Sequence, residues 1–263
     1  MRKMWIIARK EWSEVFKNRM VLFTVAFMPL MLTALPLIIL SSIGSSGDMG
    51  GMSVTDLPPG FAQMCSGLTG GECAQYYFVS SFMLLFMILP LAIPATIASY
   101  SIVGEKTTRT LEPLLATPIT TLELLAGKAV GAAIPAILAT WGAFLVFAVG
   151  AMLLSVGQAV VGRLLDPLWL TAVFVVGPLL ALAAVSVAVM VSSRVTDPRV
   201  AEQLSVLVIL PLLLLFAGNM TGFIIINDTL ILWMTGILVV VDAILFTFAV
   251  RLFQRESILT RWK

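Results

Sequence analysis

Histidine is absent from these 263 residues, and cysteine occurs only twice. Without histidine the chain has no ordinary proton shuttle near neutral pH and lacks the commonest metal ligand. No Ser/His/Asp or Cys/His catalytic set can be built either. Two cysteines, Cys65 and Cys73, are too few for a Cys-based zinc cage. Charge is also sparse. Asp, Glu, Lys and Arg make up 11% of the chain, against about 25% in a soluble domain. A net charge of +2 gives no footprint for a nucleic-acid partner. The phosphate-binding loop is missing too. Gly104-Glu105-Lys106-Thr107-Thr108 looks like the tail of one, but Glu105 separates the Gly from the Lys. Gly127-Lys128-Ala129 lacks the upstream Gly and the Ser or Thr that would hold Mg²⁺. The chain is therefore expected to be no enzyme by itself and to carry no cofactor.

What is abundant is apolar sequence. Hydrophobic residues make up 60%, and mean hydropathy is +1.05. Six apolar runs stand at about 20–43, 76–103, 129–156, 168–193, 203–226 and 230–250. Each has the roughly 20 residues a helix needs to cross a bilayer. Lipid offers no hydrogen-bond partners to a bare backbone, so helices are the expected form. The reading is an all-α integral membrane protein with six transmembrane helices, a single transmembrane domain over residues 1–263. Pro29, Pro36, Pro90, Pro94, Pro135, Pro178 and Pro211 fall inside runs, and each invites a kink. Trp169 is read as an interface anchor.

Fifteen of the sixteen Lys and Arg residues lie before run one, after runs two and four, or after run six. Only Arg163 falls on the other side. The positive-inside rule then predicts a multi-pass protein of the plasma or inner membrane with both termini cytoplasmic. Within residues 1–19, Trp5, Ala8, Trp12, Val15 and Phe16 recur at helical spacing opposite Arg2, Lys3, Lys10, Ser13, Glu14 and Lys17. That pattern predicts an interfacial helix lying on the inner leaflet, with Ile6 and Ile7 off its stripe. The outer loop 44–75 is Gly-rich and holds Cys65 and Cys73, whose pairing as a disulfide is expected in an oxidising compartment.

The cytoplasmic loop 104–128 is the longest charged interruption between runs on the basic side. Thr120 and Glu123 match a capping box, so the third helix is expected to begin in the cytoplasm. Gly127 and Gly131 form a small-xxx-small step, which chance or a packing seam explains equally. Thr110 can cap a short helix with Pro113 in its first turn, placing Leu111, Leu114 and Leu115 on one face. A second loop, Ser193 to Arg199 followed by Glu202, is either another contact point or an ordinary charged turn.

The loop 104–128 resembles the signature region of ABC-2 type permeases, the membrane subunits of ATP-driven exporters. The matching residues are Gly104-Glu105-Lys106, then Thr110-Leu111-Glu112, Leu114-Leu115 and Thr117-Pro118. Where the family usually has Gly before Thr-Leu-Glu, this chain has Arg109. The resemblance implies an ABC-2 (type V exporter-like) transmembrane domain with an N-terminal interfacial helix. It implies a cytoplasmic ATP-binding subunit as partner, with ATP and Mg²⁺ held there, and pairing with a second permease copy or a related permease. It implies that Glu105, Lys106, Arg109, Leu111, Glu112, Leu114 and Leu115 couple the ATPase to the spans. It also implies a re-entrant segment between the last two spans, in line with the polar stretch Ala217 to Gly222.

The cargo expected of such apolar spans is amphipathic or lipid-like. The alternative is a stand-alone secondary transporter or channel, which needs intramembrane ion-binding groups. Asp242 is the single acid inside a run. A structural role and a functional one are both open for it.

Overall fold

The computed structural model describes residues 2–17, 19–46, 70–108, 110, 119–154, 161–162, 165–224 and 226–252. Helix α1 covers Arg2–Lys17 and α2 covers Arg19–Ser46. Helices α3 (Gly70–Phe86) and α4 (Leu89–Thr107) follow, then α5 (Thr121–Leu153). Next come α6 (Pro167–Thr171), one π-helical turn (Ala172–Val176) and α7 (Gly177–Ser192). A short α8 (Pro198–Val206), a 3₁₀ turn (Leu207–Ile209) and α9 (Leu210–Met220) lead to α10 (Asp228–Leu252). There is no strand among the described residues. Six stretches are long and apolar enough to cross a membrane, and they match the six runs in order.

Proline explains most of the irregularities. Pro90 has no N–H to give Phe86, and the chain turns at Met87–Ile88, with Met87 N donating to the Leu84 carbonyl (3.1 Å) and Ile88 N to that of Leu85 (3.0 Å). Pro211 lies just after the 3₁₀ turn, and Pro178 just after the π turn. In the π turn Gly177 N donates to the Ala172 carbonyl. Pro178 cannot serve the Val173 carbonyl one step on. Trp141 fills the gap, its Nε1 donating to that oxygen at 3.3 Å. Threonines inside spans likewise donate back one turn, as Thr96 does to Ala92 (3.1 Å) and Thr140 to Ala136 (2.8 Å).

Helix α4 forms the centre. Every residue from Leu89 to Ser99 is buried, because α2, α5, α7 and α8 surround it. Its closest neighbour is α7, which presents Gly177, Ala181, Ala184 and Ala188 on one buried stripe. With little driving force for burial inside lipid, small residues gain stability by letting backbones approach and pack. Phe86 packs on Phe147 with ring centroids 5.3 Å apart. By contrast, only Ile231 and Ala249 of α10 are buried.

Several expectations need correcting. Trp169 is 3% exposed, packed inside the bundle rather than anchoring at its rim. The helices reach further toward the basic end than the apolar runs do, so Glu105, Lys106, Lys128, Arg199 and Glu202 are helical. The stretch Ala217 to Met220 does not break a helix; it finishes one. Gly222, at φ 74°, supplies the left-handed residue that closes α9, and Ile224 N returns to the Gly218 carbonyl at 3.0 Å. Asn219 donates Nδ2 to the Ile224 carbonyl (3.3 Å). Among the described residues no re-entrant helix separates α9 from α10.

Candidate functional site

The basic end of the bundle is built on two glycines. A Cβ added to Gly127 would stand 2.8 Å from Ile7 Cβ, and one added to Gly131 would stand 2.8 Å from Glu11 Cβ. The small-xxx-small step is thus a seam, and α1 is what lies in it. Ile7, Ala8, Glu11 and Val15 are the buried face of α1. This corrects the expected stripe. Ile7 is inside, while Trp5 is 52% exposed and Trp12 sits at the edge, donating Nε1 to the Gly131 carbonyl at 3.0 Å. The sequence stripe joined two sectors, one packed on protein and one flanking it. The capping box forms as expected: Glu123 N donates to Thr120 Oγ1 (3.1 Å), and Thr120 N to Glu123 Oε2 (3.0 Å). It starts α5 well before the apolar run, which lets α1 pack on its first turns.

A charged cluster closes over this seam. Lys128, 3% exposed, donates to Glu11 Oε1 (2.8 Å) and Ser101 Oγ (2.7 Å) and forms an ion pair with Glu105 Oε2 at 2.8 Å. Glu105 Oε1 takes Lys10, which also pairs with Glu14 at 3.3 Å. Burial of Lys10 works to lower its pKa. The hydrogen bond and charge of Glu105, joined by Glu11 and Glu14, outweigh that and hold it above the usual amine value. Glu105 therefore ties α4 to both α1 and α5. Its neighbour Lys106 points elsewhere, donating to the carbonyls of Ser193 (3.3 Å) and Val195 (3.1 Å) in the turn after α7. Two adjacent residues thus join α4 to three other elements. On its far side α4 meets α8 through Thr96 Oγ1 donating to Glu202 Oε1 (2.7 Å) and Ser99 against Ser205 (3.3 Å).

Of the residues expected to couple, Glu105 belongs to this cluster, and Lys106 stands beside it, bonded to the turn after α7. Arg109, Leu111, Glu112, Leu114 and Leu115 lie outside the described residues. Thr110 donates its hydroxyl back to the Glu105 carbonyl at 3.4 Å. Sequence reasoning missed Glu11, Lys128 and Ser101. The signal existed for Glu11: it falls between Ala8 and Val15 on the buried face, and an acid there requires a cation. Lys128 was read only as a failed phosphate loop.

The other candidates stand apart. Cys73 is buried and disulfide-bonded, and Cys65 lies outside the described residues. Asp242 is in the last helix, and both its carboxylate oxygens are buried without a hydrogen-bond partner among the described residues. Such a group costs stability. Asp242→Leu is expected to raise the thermal midpoint in detergent, by about 1–2 kcal/mol in stability. A lower midpoint would mean that Asp242 has a stabilising partner.

A family model described as ABC-2 family transporter protein matches residues 5–232. The chain belongs to the ABC-2 transporter family. The match begins inside α1 and ends inside α10, so the glycine seam and the whole charged cluster lie within the shared region. With its six membrane-crossing helices, this ABC-2 protein is a multi-pass permease component of an ABC transporter. No curated protein matches the chain.

Proposed function

We propose that this permease exports an amphipathic or lipid-like molecule, using ATP hydrolysed with Mg²⁺ on a separate cytoplasmic subunit. Two copies, or this chain and a related permease, pair and dock two ATPase subunits. Both termini and the loops 104–120 and 193–197 face the cytoplasm, a reading supported by the clustering of basic residues there. The observation that carries the coupling reading is the position of Glu105 and Lys106. A push on the loop that follows them reaches α1, α5 and the turn after α7 through charge-assisted bonds already in place. Leu111, Leu114 and Leu115 are the apolar anchors that seat in a groove on the ATPase, and Arg109 and Glu112 set the register. Asp242, kept at a cost to stability, serves the transport path. Asp242→Asn should reduce transport while expression and assembly stay normal.

The amphipathic or lipid-like cargo is supported by the surfaces of α2, α5, α9 and α10, which expose large apolar side chains and few polar ones. The test is purification of the chain with its ATPase. Hydrolysis stimulated by cargo supports the proposal, and transport that proceeds without any ATPase contradicts it. Orientation is checked separately. A cysteine at Ser46 should react with an impermeant label on intact cells, and one at Thr108 should not; the reverse pattern overturns the orientation.

A further inference from the structure

The outward side of α1 is unaccounted for by its packing. Its acids are all matched within the protein: Glu11 by Lys128, and Glu14 by Lys10. Lys10 is held by Glu105 as well. What remains is cationic. Arg9, Lys17 and Arg19 are exposed and make no hydrogen bond or ion pair among the described residues. Their level relative to the bilayer is fixed by the chain. α1 ends at Lys17 and α2 starts at Arg19, two residues before the apolar stretch that opens at Val21. Lys17 and Arg19 therefore stand at headgroup depth. The other end of α1 is held at similar depth by α5. That helix has 33 residues, so it is about 50 Å long against a hydrocarbon core of about 30 Å. α1 packs on its first turns, at Gly127, just before the apolar run, and at Gly131, where that run begins.

Around α1 there are thus three sectors. Ile7, Ala8, Glu11 and Val15 face the protein. Lys10, Glu14 and Lys17 occupy a charged flank. Trp5 and Trp12, in edge-to-face contact at 5.4 Å, form an aromatic flank on the opposite side, and Arg9 follows Trp5 by one turn. An aromatic ring beside a guanidinium at the membrane surface suits an acyl chain below a phosphate.

We propose that α1 is a binding surface for acidic phospholipid. Arg9, Lys17 and Arg19 hold the phosphates of anionic headgroups, and Trp5 lies against the upper acyl chain. Arg9 and Lys17 are eight residues apart, about 12 Å along the helix, so they engage neighbouring lipid molecules rather than one. Since Glu11 and Lys10 of the same helix enter the Glu105–Lys128 cluster, lipid charge would act on the elements joined there. The inference rests on the membrane-spanning assignment and not on the ATP-coupled reading, so either can fail alone.

The test titrates the purified full chain, in uncharged detergent, with brominated phosphatidylglycerol or brominated phosphatidylcholine and reads tryptophan quenching. Wild type is expected to reach half-quenching at about a hundredfold lower phosphatidylglycerol than phosphatidylcholine, three cations each contributing about 1 kcal/mol. The preference should shrink about fivefold for each cation removed. It should vanish in Arg9→Gln/Lys17→Gln/Arg19→Gln and survive in Arg194→Gln/Arg199→Gln. It should also disappear in wild type at about 0.5 M salt, a readout that needs no variant. Equal half-quenching by the two lipids, a preference that ignores salt, or one that persists in the triple variant overturns the proposal.

Discussion

Lys128→Met is expected to be the most damaging single substitution in the described chain. It keeps the apolar stem and removes the ammonium, so Glu11 and Glu105 remain buried beside each other with only Lys10 nearby. Breaking a buried pair from one side costs about 3–5 kcal/mol, because the partner's charge is left unmatched. Here one cation serves two carboxylates, which puts the expectation at the upper end of that range. Thermal unfolding in detergent should show a large drop. Lys128→Met/Glu11→Leu should recover part of it, since the double change removes one of the two unmatched acids. An unchanged midpoint in the single variant would mean that the cluster contributes nothing to holding α1 on the bundle.

Gly131→Leu should displace α1 by a different route. The first added carbon already meets Glu11 Cβ at 2.8 Å, and Ala8 Cα is only 3.6 Å away, so even a Cβ forces a shift and a leucine forces a larger one. The helix must lift, losing its apolar face and the Glu11–Lys128 bond together. Overpacking alone costs about 1–3 kcal/mol, and losing the bonded pair adds to it. Gly142→Leu is the control, because a Cβ added there meets nothing within 4 Å among the described residues. Limited trypsin digestion is expected to cleave at Arg9 and Lys10 quickly in Gly131→Leu and slowly in wild type and Gly142→Leu. Equal protection in all three would remove the seam from the account.

How far the sequence could be read depended on what kind of signal each feature carried. The six spans were legible because the cost of exposing polar groups to lipid acts on every residue of a run. The capping box was legible because it needs only Thr120 and Glu123 three positions apart. The rotation of α1 was not. Trp5, Trp12, Ala8 and Val15 are all apolar, and periodicity cannot separate a face against protein from one flanking it. The Lys128 cluster depends on contacts spanning 117 residues to Glu11 and 27 to Ser101. No local pattern encodes those distances, although an acid on the buried face of α1 hinted at the first. The closing of α9 was misread for a similar reason. Gly218 and Gly222 suggested a break, but Gly218 leaves room for Ile224 and Gly222 takes the positive φ of a helix end.

The central claim is that movement enters the spans from residues 104–118 by way of Glu105. The direct measurement is cargo transported per ATP hydrolysed, in vesicles holding the permease with its ATPase, for wild type, Leu114→Asp and Glu105→Gln. Leu114→Asp should weaken ATPase binding by about 2 kcal/mol or more, as loss of a central anchor does. Glu105→Gln should leave binding intact yet lower transport per ATP at least tenfold, with assembly of the permease unchanged. A wild-type transport ratio in Glu105→Gln, together with wild-type binding in Leu114→Asp, would contradict the account.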